Sequence, residues 1–155
     1  GPITAITFKN KNTFMVFGCG DFNNVREDVK YIKCRDEIDL IKRFIDEWSG
    51  NYPDIITGWN VKMFDIPYLV NRITKLLGED FAKRLSPWNI INEREISSNF
   101  DFTKKLKTYN LLGISIMSIA RTSIPLFIIS LTVLLPTNPS APVTIIFFIY
   151  FSFIH

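Results

Sequence analysis

No charged residue lies between Thr122 and Ile154, and this divides the chain into two parts that cannot fold under the same rules. Of 18 Lys and Arg and 15 Asp and Glu residues, only Arg121 lies beyond residue 109. A soluble domain covers its surface with charged groups of both signs. The first part has them in abundance and the second does not. We therefore expect a division into residues 1–117, an ordinary soluble unit, and 118–155, an apolar tail. At 155 residues the chain holds one domain at most, or part of one. It starts at Gly1, not Met, so it reads as beginning inside a longer protein or at a tag-cleavage scar, and no charged segment followed by an apolar one marks a signal peptide. The net charge of +3 neither demands nor excludes a nucleic-acid partner. Cys19 and Cys34 lack metal-ligand spacing and read as reduced thiols in a cytoplasmic protein.

Hydrophobic periodicity changes along the first part. Ile3 to Phe8 alternates, Thr13 to Cys19 is β-branched and aromatic, and Lys9-Asn10-Lys11-Asn12 between them is a polar turn. This is a hairpin signature, and Val29 to Cys34 reads as a third short strand. Asp36 then opens a helix with Ile38, Ile41, Phe44, Ile45 and Trp48 at helical spacing, acidic residues in its first turn and Gly50 as a stop. Asp54 to Asn60 reads as a buried central strand. Asp65 to Leu77 reads as a second helix, with Pro67 in its first turn and Gly78 closing it. A polar hairpin follows, Glu93 to Ser97 against Leu106 to Ser115, with Lys104, Lys105 and Lys107 near its tip. The order predicts an α/β fold in which an antiparallel portion precedes a parallel unit.

The chemistry-bearing stretch is Thr57 to Tyr68. In open α/β sheets, ligands bind beyond the carboxyl ends of strands. Asp65 stands just past such a strand, where it can face a metal ion. An Asp before an apolar helical stripe is also the ordinary N-cap, and spacing leaves both readings open. Phe64 reads either as a stacking surface or as a core residue beside Trp59. The three lysines read either as phosphate contacts or as a solvated hairpin tip.

Asn60-x-x-x-Phe64-Asp65 resembles the second exonuclease motif of family B DNA polymerases. The likeness continues through Ile56-Thr57-Gly58-Trp59-Asn60-Val61, Phe64-Asp65-Ile66-Pro67-Tyr68, Asn71-Arg72-Ile73 and Ala82 to Trp88. It includes the opening Pro2 to Thr7 and Gly113-Ile114-Ser115, and it resembles the polymerases of large tailed bacteriophages over roughly residues 1–117. The resemblance implies a ribonuclease H-like exonuclease domain, here incomplete, with a mixed sheet and flanking helices. It implies proofreading by two-metal phosphodiester hydrolysis at a primer 3′ end, with Mg²⁺ or Mn²⁺ as the two ions. By the same resemblance Asp65 is the catalytic metal ligand, and Asn60 and Phe64 hold the frayed single-stranded DNA end. The implied partners are DNA, the remainder of a polymerase and replication accessory proteins, and the implied location is the host cytoplasm.

Two departures limit this. The family's Asp-x-Glu motif would lie upstream of Gly1, on a strand whose absence should leave an open, apolar sheet edge. Its Tyr-x-x-x-Asp motif has no counterpart, because no Asp or Glu follows Asp101. The fragment is thus expected to be inactive. Where the family continues with an acidic segment, this chain carries two apolar runs, Ile124 to Leu135 and Val143 to Ile154, separated by a Pro-rich stretch. A membrane hairpin, a buried core and an out-of-frame translation all compete for them. Each run is shorter than the ~20 residues of a helical span, and an uncovered core would expose a large apolar patch. The out-of-frame reading is the expectation, with no consistent packing of the tail on residues 1–109. The rival function is a small membrane-associated protein with a noncatalytic α/β head and an apolar anchor.

Overall fold

The alternating segment at the start becomes β1 (Ile3–Asn10), paired antiparallel with β2 (Thr13–Gly18) through the rungs Asn10 with Thr13 to Ala5 with Gly18. The structure is a computed structural model and describes residues 1–10, 13–58, 60–97, 105–118 and 143–150. β3 (Val29–Lys33) lies parallel to β2, Phe14 opposite Val29. The connection back is pinned where the Phe14 amide donates to the Asp28 carbonyl at 2.7 Å and the Asn24 amide group donates to the Val29 carbonyl at 2.6 Å.

Helix α1 (Glu37–Gly50) starts as expected, with the Asp36 carboxylate accepting from the Asp39 amide at 2.9 Å. A short polar acceptor there satisfies one of the amides that a helix start leaves orphaned. Its buried face is Leu40, Ile41, Phe44, Ile45 and Trp48. Ile38, expected on that stripe, is 41% exposed. Gly50 is the last helical residue and Asn51 takes the cap position. The buried face meets β1 and β2 in an aromatic cluster, with Phe44 6.1 Å from Phe8, 6.0 Å from Phe17 and 5.4 Å from Trp48 between ring centroids. These are edge-to-face and tilted contacts of the kind aromatic quadrupoles favour. The Trp48 indole N–H donates to the Leu85 carbonyl at 2.9 Å, so this large ring is buried with its polar atom satisfied.

β4 (Ile55–Gly58), a π-helical turn (Val61–Asp65) and α2 (Ile66–Leu77) follow, with the short α3 (Glu79–Lys83) after Gly78. β5 (Ile91–Ser97) and β6 (Lys105–Leu111) form a separate antiparallel pair. The expected hairpin is therefore present but ends at Leu111. Ser115 belongs to a different strand, β7 (Ser115–Ser118), parallel to β4 in the main sheet. The break occurs at Gly113, whose φ of +91° turns the chain, and an added Cβ there would meet Pro87 Cγ at 2.5 Å. The buried Ser86 hydroxyl donates to the Leu112 carbonyl at 2.7 Å and accepts from the Trp88 and Ile90 amides. The Ser-Pro-Trp and Gly-Ile-Ser segments thus interlock.

The main sheet has the order β3-β2-β1-β8-β4-β7, where β8 is Val143–Tyr150. β8 runs parallel to β1 and antiparallel to β4. Two expectations are corrected here. Part of the tail does pack on residues 1–109, and the edge of β1 is covered instead of open. The physical reason is the composition of 143–150, Val-Thr-Ile-Ile-Phe-Phe-Ile-Tyr, which is β-branched and aromatic throughout and suits a strand enclosed by neighbours on both sides. The rest of the tail lies outside the described residues. Among those described, no helix is long and apolar enough to cross a membrane.

Candidate functional site

The site is assembled where β4 gives way to α2. Ile56 is fully buried and Thr57 nearly so, which anchors the strand and fixes where its carboxyl end emerges. Exposed Asn60 then turns the chain, its backbone carbonyl accepting from the amides of Met63 at 3.2 Å, Phe64 at 2.8 Å and Asp65 at 3.4 Å. The Ile66 amide donates to the Val61 carbonyl, the wide bond of a π-turn. Such turns insert an extra residue into a helix and shift side chains off the regular face, often at functional sites.

This turn decides between the two readings of Asp65. Its backbone is already helical (φ −64°, ψ −50°) and its side chain makes no capping bond. The preceding turn supplies carbonyls to the amides that a cap would otherwise serve, so no capping role is left for the carboxylate. Asp65 lies past the end of β4, half-buried and neither fully open nor sealed. Protein atoms crowd the carboxyl, and the lost hydration pushes it up to about 6. No hydrogen bond or ion pair joins it to another described residue. It is an acid group just past the carboxyl end of a central strand, with no polar partner among the described residues.

Phe64 is 47% exposed, so it is not the core residue that the alternative reading required. Its ring stacks on Tyr68, one helical turn on, with centroids 5.7 Å apart and planes 19° from parallel. The pair forms a flat aromatic step beside Asp65, with half-exposed Met63 next to it. Tyr68 was missed in the sequence, although its i, i+4 spacing from Phe64 marks it as a neighbour on the helix surface. Trp59 and Lys104 lie outside the described residues. Lys105 and Lys107 sit on β6, tied across to Glu95 at 3.0 Å and Glu93 at 2.7 Å, which favours the solvated-hairpin reading.

The scaffold behind the site is held by Glu37, read in the sequence only as a first-turn carboxylate. It accepts from the Ile3 amide at 2.7 Å and from the Arg72 guanidinium at 2.7 and 2.6 Å. Burial pushes its carboxyl up, but the Arg72 fork and the Ile3 amide outweigh this and hold it below the usual range. One carboxylate thereby ties the start of β1, α1 and α2 together. On the other side of α2, the Tyr109 hydroxyl donates to the Asn71 side-chain oxygen at 2.8 Å and links the β5–β6 pair to the helix.

Among the described residues no group of three or more His, Cys, Asp or Glu side chains could hold a metal ion. Asp65 contributes one carboxylate, and two divalent cations need several hard oxygen ligands. The residues present therefore do not fit a two-ion centre.

The family model for the DNA polymerase family B exonuclease domain matches residues 3–126. The DNA-directed DNA polymerase of Enterobacteria phage T4 is 33% identical over 93 residues, covering 60% of this chain and 10% of that protein. The DNA-directed DNA polymerase of Escherichia phage RB69 is 35% identical over 95 residues, covering 61% and 10%. The chain thus spans about a tenth of the length of the curated relatives it matches.

Proposed function

We propose, from the premise that this chain belongs to the family of the DNA polymerase family B exonuclease domain, that it is a segment of a proofreading 3′–5′ exonuclease of a phage replicative polymerase. The carrying observation is Asp65, which makes no capping bond, has no polar partner among the described residues and lies past the carboxyl end of a central strand. On this reading Asp65 is the one carboxylate that the chain offers to a Mg²⁺ or Mn²⁺ site. Exposed Asn60 and the Phe64–Tyr68 step meet the unpaired 3′ end of a primer, where stacking on an aromatic face needs no particular base. The remaining metal ligands, the polymerase body and the replication accessory proteins belong to a longer protein and its assembly, working on DNA in the host cytoplasm.

A ribonuclease H-like fold is part of the proposal. Its support is the mixed sheet, with an antiparallel β1–β2 pair on one side, parallel β4 and β7 on the other, and helices α1 and α2 sharing their core. We further place residues 1–117 in the exonuclease and read 118–155 as out-of-frame sequence. The neighbouring frames of the coding DNA should then restore an acidic segment followed by Tyr-x-x-x-Asp, and if none does, the tail is genuine.

The test of the site is Asp65→Ala in a polymerase that contains this segment. Excision of a mismatched primer end should fall by orders of magnitude while polymerisation is largely kept. Unchanged excision would remove Asp65 from the chemistry.

A further inference from the structure

The chain's two cysteines, distant in sequence, end side by side. β2 and β3 keep one parallel register from Phe14 opposite Val29 to Gly18 opposite Lys33. The Cys34 amide donates to the Gly18 carbonyl at 2.8 Å, so the pairing reaches the strand ends. The next residues in that register are Cys19 and Cys34. Neighbouring strands lie about 4.8 Å apart, within the roughly 4.4–6.8 Å between Cα atoms that a disulfide spans. Side chains alternate along a strand, and the residues two before each cysteine, Phe17 and Ile32, line one cavity with Arg43, Asp46 and Glu47 of α1. Both thiols therefore stand on the α1 face, and both pack against the core. The chain just past Cys19 is also tied to β3, by the Tyr31 hydroxyl on the Gly20 carbonyl and the Lys33 ammonium on the Asp21 carboxylate.

We propose that Cys19 and Cys34 form a dithiol modification site, which a small-molecule disulfide closes reversibly into a bond between the ends of β2 and β3. The two thiols differ in access. Cys34 is buried and Cys19 is half-buried, so Cys19 is the entry point. The Cys19 thiolate attacks the small disulfide, expels one thiolate and becomes a mixed disulfide. Cys34 then loses its proton, attacks the Cys19 sulfur and expels the second thiolate. Two electrons pass to the small disulfide, and the protons of the two cysteines end on the two thiols it releases. Where thiol reductants prevail the pair rests open.

The surroundings set how readily this happens. Burial, then the carboxylates of Asp36, Glu37 and Asp39 at the start of α1, push the Cys19 thiol up. Burial, then Asp39 and Cys19, do the same for Cys34, and the Arg43 guanidinium and the Gly18 backbone offset this in part. Both groups are thus kept as thiols, which are poor nucleophiles. Closure is slow and needs a sustained oxidant. The Cys34 sulfur, donating to the Ile32 carbonyl at 3.4 Å, is held on the strand that carries it towards Cys19.

The test holds the full chain in a glutathione redox buffer and maps its peptides by mass. A Cys19–Cys34 link within the monomer, opened again by excess reductant, is expected. Glutathione retained on both cysteines, a disulfide-linked dimer, or two thiols left untouched by a buffer that oxidises the urea-unfolded chain would each overturn the proposal. The ratio of disulfide to dithiol should be at least about tenfold higher in the folded chain than in urea, because a bond that fits the fold is favoured by it. An equal or lower ratio overturns the fit. The order of attack is read from single variants. Cys34→Ala should keep glutathione on Cys19, and Cys19→Ser should leave Cys34 unmodified in the folded chain; the reverse pattern overturns Cys19 as the entry point. None of these readouts involves DNA or a metal ion, so they are separate from the nuclease reading.

Discussion

A carboxyl stripped of water and given no partner resists ionisation, and at Asp65 this couples stability to pH. Its folded value of about 6 lies above the ordinary Asp value near 4. A raised acid favours the folded state fully below its unfolded value, and the advantage is lost as pH rises through the folded one. Asp65→Asn, which keeps the shape without the charge, should therefore stabilise the chain at pH 7.5 by on the order of 1 kcal/mol, discounted for the remaining exposure. The gain should shrink between pH 6 and pH 4 and vanish below. Urea midpoints of both proteins across that range check this, and a gain that does not vary with pH would show that desolvation is not the cause. At this scale the sequence located the residue but not its state. The spacing that places an acid before an apolar helix is the same for a cap and for a free ligand. Only the preceding π-turn, which depends on which amides the Asn60 carbonyl accepts, tells them apart. Likewise Phe64 stands between Met63 and Asp65 in sequence, which leaves a core and a stacking reading open, and only the structure shows it 47% exposed.

Elements were legible wherever periodicity was long and the caps were short-range. α1 follows from its stripe and Asp36, α2 from its stripe and Gly78, and the β1–β2 hairpin from alternation on either side of the polar stretch Lys9-Asn10-Lys11-Asn12. The boundary between β6 and β7 was not, because Leu106 to Ser115 reads as one strand and the break is made by a distant contact, Gly113 against Pro87. That contact yields a comparison. Gly78 and Gly113 both have a φ near +90°, but an added Cβ meets nothing within 4 Å at Gly78 and meets the Pro87 ring at Gly113. Gly78→Ala should cost about 1–3 kcal/mol, because its φ of 90° with a ψ of 166° is backbone that essentially only glycine adopts. Gly113→Ala should cost more, by on the order of 1–3 kcal/mol, because a proline ring yields poorly and overpacking adds to the strain. Denaturant midpoints of the two variants decide it, and equal losses would mean that the Ser86–Trp88 turn moves aside freely. β8 was illegible for another reason. In sequence this run reads as out-of-frame and without packing; its partners lie far back in the chain, and nothing local states which edge will accept it.

For the molecule as a whole, the decisive fact is where its carboxylates are. On the proposed reading the chemistry depends on holding two ions and a water in line with the scissile phosphate, which takes several oxygen ligands in fixed positions. Between Gly1 and His155 there is no Asp-x-Glu and no Tyr-x-x-x-Asp, and beyond Asp101 there is no acid at all. Other carboxylates of the ordered part are engaged elsewhere. Glu37 is committed to Arg72 and the Ile3 amide, and Asp39 is drawn down to about 2 by the Arg35 amide together with the Arg43 and Arg35 guanidiniums. Glu93 and Glu95 are bound across β5–β6 to lysines. Asp65 is left with two oxygens, and Mg²⁺, which dehydrates reluctantly, stays in water at such a site. The aromatic step does not need the metal, so weak, salt-sensitive binding of single-stranded DNA through Phe64 is compatible with this. The expectation is that the purified chain, given a labelled single-stranded oligonucleotide with Mg²⁺ or Mn²⁺, leaves its 3′ end intact. Metal-dependent shortening from that end, abolished by Asp65→Ala, would mean that fewer carboxylates suffice than the two-ion arrangement requires. Shortening that survives Asp65→Ala would instead point to a contaminating nuclease, since no other described carboxylate combines that position with an uncommitted pair of oxygens.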